Sequence, residues 1–162
     1  MIEKISTKGQ DWREMSHGNK FHHGRISLTG MDNETGMGCA LYKVPPGKRA
    51  FPNHAHIAND EAVFVTEGKG TLSVGEEDIQ VAAGDFVMIP RGSATPHVLF
   101  NDGAEDLIYL CMSTMNTPDV VHYPDSDKLG VLEEKFPFGP KGPGRVGGIY
   151  ARNQLGYWDG EE

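Results

Sequence analysis

The sequence predicts an all-β sandwich or barrel, and three observations predict it. Between about Gly36 and Met115, short β-type runs of about six residues recur at roughly ten-residue spacing. Each break between runs carries turn chemistry: Pro45-Pro46-Gly47, Glu67-Gly68-Lys69-Gly70, Val74-Gly75-Glu76-Glu77, Ala83-Gly84-Asp85 and Asn101-Asp102-Gly103. No long helical periodicity competes with these strands.

In chain order, the first 35 residues hold a polar start, a piece containing His17, His22 and His23, and an expected strand from Arg25 to Gly30. The core runs follow: Cys39 to Val44, Glu61 to Thr66, Gly70 to Val74, Asp78 to Val81, Asp85 to Ile89, His97 to Asn101 and Leu107 to Ser113. From Asn116 onward the texture changes. Pro118, Pro124, Pro137, Pro140 and Pro143, together with frequent glycine, argue against long regular strands or helices. Yet Tyr123, Phe136, Phe138, Tyr150, Tyr157 and Trp158 are too many aromatics for a solvated tail. The chain therefore divides into an N-terminal strand and arm (1–35), a core (36–115) and an ordered, loop-rich C-terminal arm (116–162) laid over the core or over a second subunit. Within the arm, Gly142-Pro143-Gly144-Arg145-Val146-Gly147-Gly148 matches no phosphate-loop spacing and has no strand-to-helix context, so it reads as a flexible turn.

A chain of 162 residues and 17.7 kDa fits one domain. A domain of that size buries about 70% of the surface its unfolded chain exposes, enough for a core without disulfides. A net charge of -8 and a pI near 5.3, with Lys and Arg scattered, argue against nucleic acid as a partner. The start lacks the apolar stretch of a secretory signal, and nothing approaches the ~18 apolar residues of a membrane span. A soluble cytoplasmic protein is expected. Cys39 and Cys111 each sit inside a strand-like run with no CxxC spacing, and they read as buried, reduced thiols without a functional role.

One constellation carries chemistry. His54 and His56 lie two apart, so on an extended segment their rings point to the same side, and Pro52 favours extension at Phe51. Glu61 follows a turn at Ala58-Asn59-Asp60 and opens a new strand, and His97 opens another after Pro90-Arg91-Gly92. Three imidazoles and a carboxylate at strand beginnings suit one divalent transition metal per chain: Fe, Mn, Zn, Ni or Co. The absence of thiolates removes any preference for Cu(I) or structural zinc. His17, His22, His23 and His122 lack such context and receive no role. Gly47, Gly68, Gly84 and Gly92 are expected in turns that require positive φ. Asp85 and Asn101 are expected to hydrogen-bond turn backbone rather than take part in chemistry.

These residues resemble the two motifs of the cupin superfamily. Gly47, six residues, His54-x-His56, four residues, Glu61, six residues and Gly68 is similar to the first motif. Gly84, five residues, Pro90-x-Gly92, four residues, His97, three residues and Asn101 is similar to the second. The usual spacers are five residues before the first histidine and two between Gly92 and His97, so the turn before His97 is lengthened. The ends of the arm, around Tyr123-Pro124-Asp125-Ser126 and Tyr157-Trp158-Asp159, resemble small bacterial cupins without an assigned reaction. The resemblance implies a double-stranded β-helix, or jelly-roll barrel, often dimeric, with one metal held by His54, His56, Glu61 and His97 near the mouth. Four protein ligands on an ion that prefers six leave two adjacent positions for water, substrate or dioxygen.

Three functions follow as expectations. The first is a metal-dependent enzyme acting on a small organic molecule. By strand alternation Leu99 and Asn101 share the side of His97, and Val63 and Val65 that of Glu61, so the pocket is mostly apolar. That favours an Fe(II) dioxygenase acting on an aromatic or ketone-like substrate. Isomerase or lyase chemistry on a sugar or hydroxy acid comes second, because a phosphorylated sugar calls for an inward cation and only Lys43 or Arg91 can be placed near the mouth. The second function is a non-catalytic small-molecule binding module, and the third a metal-free storage protein, which the retention of all four ligand types argues against. A homodimer is expected, since an exposed sheet edge and an aromatic arm both need cover.

Overall fold

The computed structural model describes residues 4–29, 36–133 and 146–161. A hairpin of β1 (Arg13–His17) and β2 (Phe21–Ser27) leads into β3 (Met37–Val44) and the two-residue β4 (Ala55–His56). The centre of the chain then forms β5 (Glu61–Glu67), β6 (Lys69–Val74), β7 (Glu77–Ala82), β8 (Phe86–Ile89), β9 (His97–Phe100) and β10 (Leu107–Thr114). Beyond it lie β11 (Asp119–Tyr123), one 3-10 turn (Pro124–Ser126), β12 (Lys128–Leu132) and β13 (Gly148–Ala151).

All pairings between these strands are antiparallel. Six strands form one sheet in the order β1-β2-β3-β10-β5-β8, three form β7-β6-β9, and four form β13-β12-β11-β4. This is an all-β cupin-type barrel. The strands expected between Gly36 and Met115 are all present, with ends displaced by at most two residues. Period-two burial explains why. On β3, Ala40, Tyr42 and Val44 are buried while Leu41 and Lys43 between them are less so, and β10 answers with Leu107 and Tyr109. Val44, Leu107, Val65 and Leu72 are essentially sealed from water. Each such side chain contributes roughly 1.5–3 kcal/mol of burial.

One expectation needs correction. The early strand begins at Phe21 and ends at Ser27 rather than running from Arg25 to Gly30. It continues through Gly24 because the side chains of Trp12 and Glu14 come within 3.0 Å of where a Cβ would stand, so β1 covers that position. As expected of the proline-rich C-terminal segment, no long strand forms among its described residues; it holds three of four or five residues, none of which contains a proline. Of the glycine-rich stretch read as a flexible turn, Gly142 to Arg145 lie outside the described residues, while Gly148 opens β13. No helix among the described residues is long and apolar enough to cross a membrane.

Candidate metal centre

His54 and His97 face each other across a bridge between the segment ahead of β4 and the start of β9. The backbone N–H of His97 donates to the His54 carbonyl at 2.8 Å, and the N–H of His54 returns a bond to His97 at 3.1 Å. The lengthened turn before His97 is closed by the Thr95 hydroxyl, which donates to the Pro90 carbonyl at 2.7 Å, and tied to β4 by the Gly92 N–H, which donates to the His56 backbone carbonyl at 2.8 Å. The extra residues are thus absorbed without moving His97 out of the strand. His56 continues onto β4, which pairs with β11 through Val121. Glu61, first residue of β5, points inward from the adjoining sheet.

The four side chains meet. His54, His56 and Glu61 offer ligand atoms that all lie within 4.8 Å of one another, a set that could hold a metal ion. His97 joins them through its Nε2, 2.7 Å from Glu61 Oε2. The other Nε2 atoms approach the same carboxylate, His54 at 3.9 Å and His56 at 3.8 Å. Every Nδ1 is engaged elsewhere. That of His54 lies 2.9 Å from the Pro52 carbonyl, that of His97 3.2 Å from the Thr95 carbonyl, and that of His56 2.6 Å from Asp119 Oδ2. Acceptors at the Nδ1 atoms of His54 and His56 place the proton there and turn their Nε2 lone pairs inward, while His97 donates from Nε2 to Glu61 and has the Thr95 carbonyl ready to receive its proton at Nδ1 once a cation takes that place. A divalent ion requires all three protons on Nδ1, and each Nδ1 has an acceptor to hold one, so the donor set fits such an ion.

Burial lowers the His54 pKa to about 4, keeping the ring neutral despite the Glu61 charge. For Glu61, burial favours the neutral acid, but the hydrogen bond from His97 and the nearby His56 and His54 outweigh it and bring the pKa down to about 2. Burial alone would discourage a proton on His56; the hydrogen bond to Asp119 and the charges of Glu61 and Asp119 reverse that and raise its pKa. Asp119 is itself held ionised, since the bonds from His56, Asn59 and the Ala58 N–H overcome its burial.

The cluster opens into a cavity of about 360 Å³ lined by Ala40, Ala50, Val63, Leu72, Leu99 and Val121 among others. Tyr123 lies parallel to His54, with ring centroids 6.0 Å apart. Tyr42 and Tyr109 stack at 5.5 Å on the barrel floor, and burial pushes Tyr42 up to about 12 and Tyr109 well above its ordinary value. Cys111 also lines the cavity, and burial raises its thiol pKa far from the range of a nucleophile or thiolate ligand. Both cysteines are free.

Leu99, Asn101, Val63 and Val65 are buried as alternation required. Asn101 bonds the Val44 and Glu105 carbonyls, and Asp85 accepts from the Ala82 N–H. Gly47, Gly68, Gly84 and Gly92 all have positive φ. At Gly68 a Cβ would also stand 2.5 Å from the Asp106 carbonyl oxygen. His17, His22, His23 and His122 stay out of the cavity lining.

The cation placed near the mouth was wrong. Lys43 turns to Trp12 and Glu14, and Arg91 to Asp60 and the Ala58 carbonyl. Arg25 of β2 lines the cavity instead. Sequence reasoning also missed Asp119, Tyr123 and Asn59. Asp119 and Tyr123 reach the site from a segment distant in the chain, and Asn59, though it lies in the turn between His56 and Glu61, acts through bonds to Asn116 and Asp119, so no local pattern announces any of them.

Residues 40–113 match the Cupin domain family. An uncharacterized protein of Methanocaldococcus jannaschii is 34% identical over 109 residues, covering 67% of this chain and 76% of that protein. The chain belongs to the cupin superfamily. Among solved structures, this cupin resembles a putative sugar phosphate isomerase from Acidithiobacillus ferrooxidans, with TM-score 0.73 and 29% identity over 82% of this chain and 88% of that one. A sugar phosphate isomerase of the cupin superfamily from Silicibacter pomeroyi shares the fold, with TM-score 0.67 and 22% identity over 78% of this chain and 85% of that one.

Proposed function

We propose that this cupin is a metal-dependent enzyme acting on a small organic molecule, with His54, His56, Glu61 and His97 holding one divalent transition metal. The observation that carries the reading is the convergence of three Nδ1-anchored imidazoles on one ionised carboxylate at the wall of a cavity. A divalent ion there supplies Lewis acidity toward a substrate oxygen and, as Fe(II), access to dioxygen chemistry. The protein's own groups bind and orient. Glu61 brings one negative charge and the imidazoles none, so the donor set neutralises half of a divalent ion's charge and leaves it electrophilic. The apolar walls exclude water and select a compact substrate.

Two reaction classes suit such a centre. Isomerase or lyase chemistry on a hydroxy or oxo compound is the better supported, because the Acidithiobacillus ferrooxidans protein at 29% identity is a putative sugar phosphate isomerase. Dioxygenase chemistry on an aromatic or ketone-like substrate is the second, and the apolar cavity walls favour it.

The test is elemental analysis after anaerobic purification without an affinity metal column, on wild type and on His54→Ala and His97→Ala. Near-stoichiometric metal in wild type, lost in both variants with the β fold retained, supports the assignment. Zinc, nickel or manganese points to isomerase or lyase chemistry, and iron with substrate-dependent oxygen uptake to the dioxygenase. A metal-free wild type, or full occupancy in both variants, overturns it.

A further inference from the structure

Arg25 is the one cation among the described residues lining the cavity. On β2 it stands opposite Tyr42 of β3, which in turn stands opposite Tyr109 of β10, so Arg25 belongs to the inward-facing row that floors the barrel. Its guanidinium carbon lies 6.0 Å from the centroid of the Tyr42 ring. Its Nε is buried and has no hydrogen-bond partner. The ion pairs of the described lysines and arginines involve Lys43, Arg91 and Arg152, and none involves Arg25.

A guanidinium stays charged at any pH at which a protein folds. The guanidinium interacts with the Tyr42 phenol, but leaving its Nε–H buried and unmatched destabilises the unliganded fold. A side chain in that state fits a site whose acceptor arrives with a ligand. The Glu61 row crosses β10 at Ser113 and the Arg25 row crosses it at Tyr109, four residues away. That is about 13 Å of strand, spanned by one cavity.

We propose that Arg25 is an anion-binding subsite that takes the carboxylate of a small hydroxy or oxo acid whose opposite end lies against His54, His56, Glu61 and His97. The inference rests on the reading of that cluster as the reactive centre, and it specifies the substrate class. A carboxylate matches the planar fork of the guanidinium and balances its single charge. A phosphate dianion would set two negative charges against this single guanidinium, with no other lysine or arginine among the described lining residues beside it. The stacked Tyr42 and Tyr109, both kept as neutral phenols, add no charge of their own to the floor.

The experiment measures thermal shift and calorimetric binding of acetate, 4-hydroxybutanoate and 2-oxoglutarate, beside 4-hydroxybutanamide and inorganic phosphate. The proteins are the wild type as purified, Arg25→Gln, Arg25→Lys and His54→Ala, each checked for the β fold by circular dichroism. The proposal expects at least one of the larger carboxylates to bind wild type, the neutral amide not to bind, and affinity to fall about tenfold or more in Arg25→Gln, with Arg25→Lys between. It also expects unliganded Arg25→Gln to melt no lower than wild type, whereas a purely structural arginine would lower the melting point when removed. Binding of carboxylates equally by wild type and Arg25→Gln overturns the proposal and leaves the metal assignment standing. Arg25-dependent binding by a wild type that carries no metal supports the subsite and overturns the metal reading. Arg25-dependent binding of phosphate in preference to every carboxylate overturns the carboxylate class, and no binding of any probe overturns the subsite.

Discussion

Asp119 accepts the Nδ1 proton of His56 at 2.6 Å, and its other oxygen takes the Ala58 N–H at 2.8 Å. One carboxylate from β11 thus fixes both the ring orientation of a candidate ligand and the turn that follows it. Asp119→Asn is expected to keep the fold and weaken metal affinity by about 10–100-fold, the usual effect of losing such a support. Competition with a graded series of chelators measures it, and unchanged affinity would remove Asp119 from the metal centre.

Stability is expected to decline as pH falls below the ordinary histidine value, partly through His23. Its ring is 3% exposed, packs on Tyr42 and Phe51, and bonds the Ala50 carbonyl at 3.0 Å. Burial lowers its pKa below 6.5, against the Ala50 bond, which raises it. The unfolded chain therefore binds the proton first. The stability is complete above the unfolded value and is lost as pH drops through the interval down to the folded one. Urea midpoints between pH 8 and pH 5 should fall less steeply in His23→Phe than in wild type, with a residual slope from His54, whose shift has the same sign.

Leu107→Ala is expected to cost about 2–5 kcal/mol, because the side chain is fully buried and neighbours such as Gly70 cannot collapse into the void. Denaturant unfolding monitored by tyrosine and tryptophan fluorescence reads this directly. A loss below about 1 kcal/mol would mean that the barrel closes around the hole.

Strand β8 lies at the edge of the six-stranded sheet and exposes Phe86 by 55% and Met88 by 68%, with Phe64 of β5 paired to Phe86. Its sequence, Phe-Val-Met-Ile, contains neither the charge nor the proline that usually guards an edge. The proposed cover is a second copy of the chain, meeting the first across a two-fold axis. Light scattering should show a dimer at micromolar concentration, and Phe86→Glu combined with Met88→Glu should give a monomer. A monomeric wild type would overturn it.

Much of the barrel was legible because period-two burial and turn residues both act over a few neighbours. The positions of His54, His56, Glu61 and His97 were legible for the same reason: each stands beside a turn at the start of an extended segment. Arg25 was not, since a charged residue in a strand reads as solvent-facing unless its cross-strand partners are known, and here they are Tyr42 and then Tyr109. Asp119 was hidden by its 63-residue separation from His56. Strands β11, β12 and β13 were missed because prolines and glycines around them signal irregularity, while the ladder that orders them comes from β4 at one side and from each other.

Asn59 makes the timing of assembly explicit. Its side chain bonds the Asn116 carbonyl and N–H, the Thr114 hydroxyl and Asp119, so the turn after His56 is clamped by a segment made nearly sixty residues later. On the ribosome, a nascent chain that has just exposed His97 carries all four imidazole and carboxylate donors and none of these clamps. Any ion captured at that stage would be held loosely and exchange freely with the surrounding pool. Selection of any metal this cluster holds would thus belong to the interval after Asp119 emerges, when a flexible set of donors becomes a fixed one.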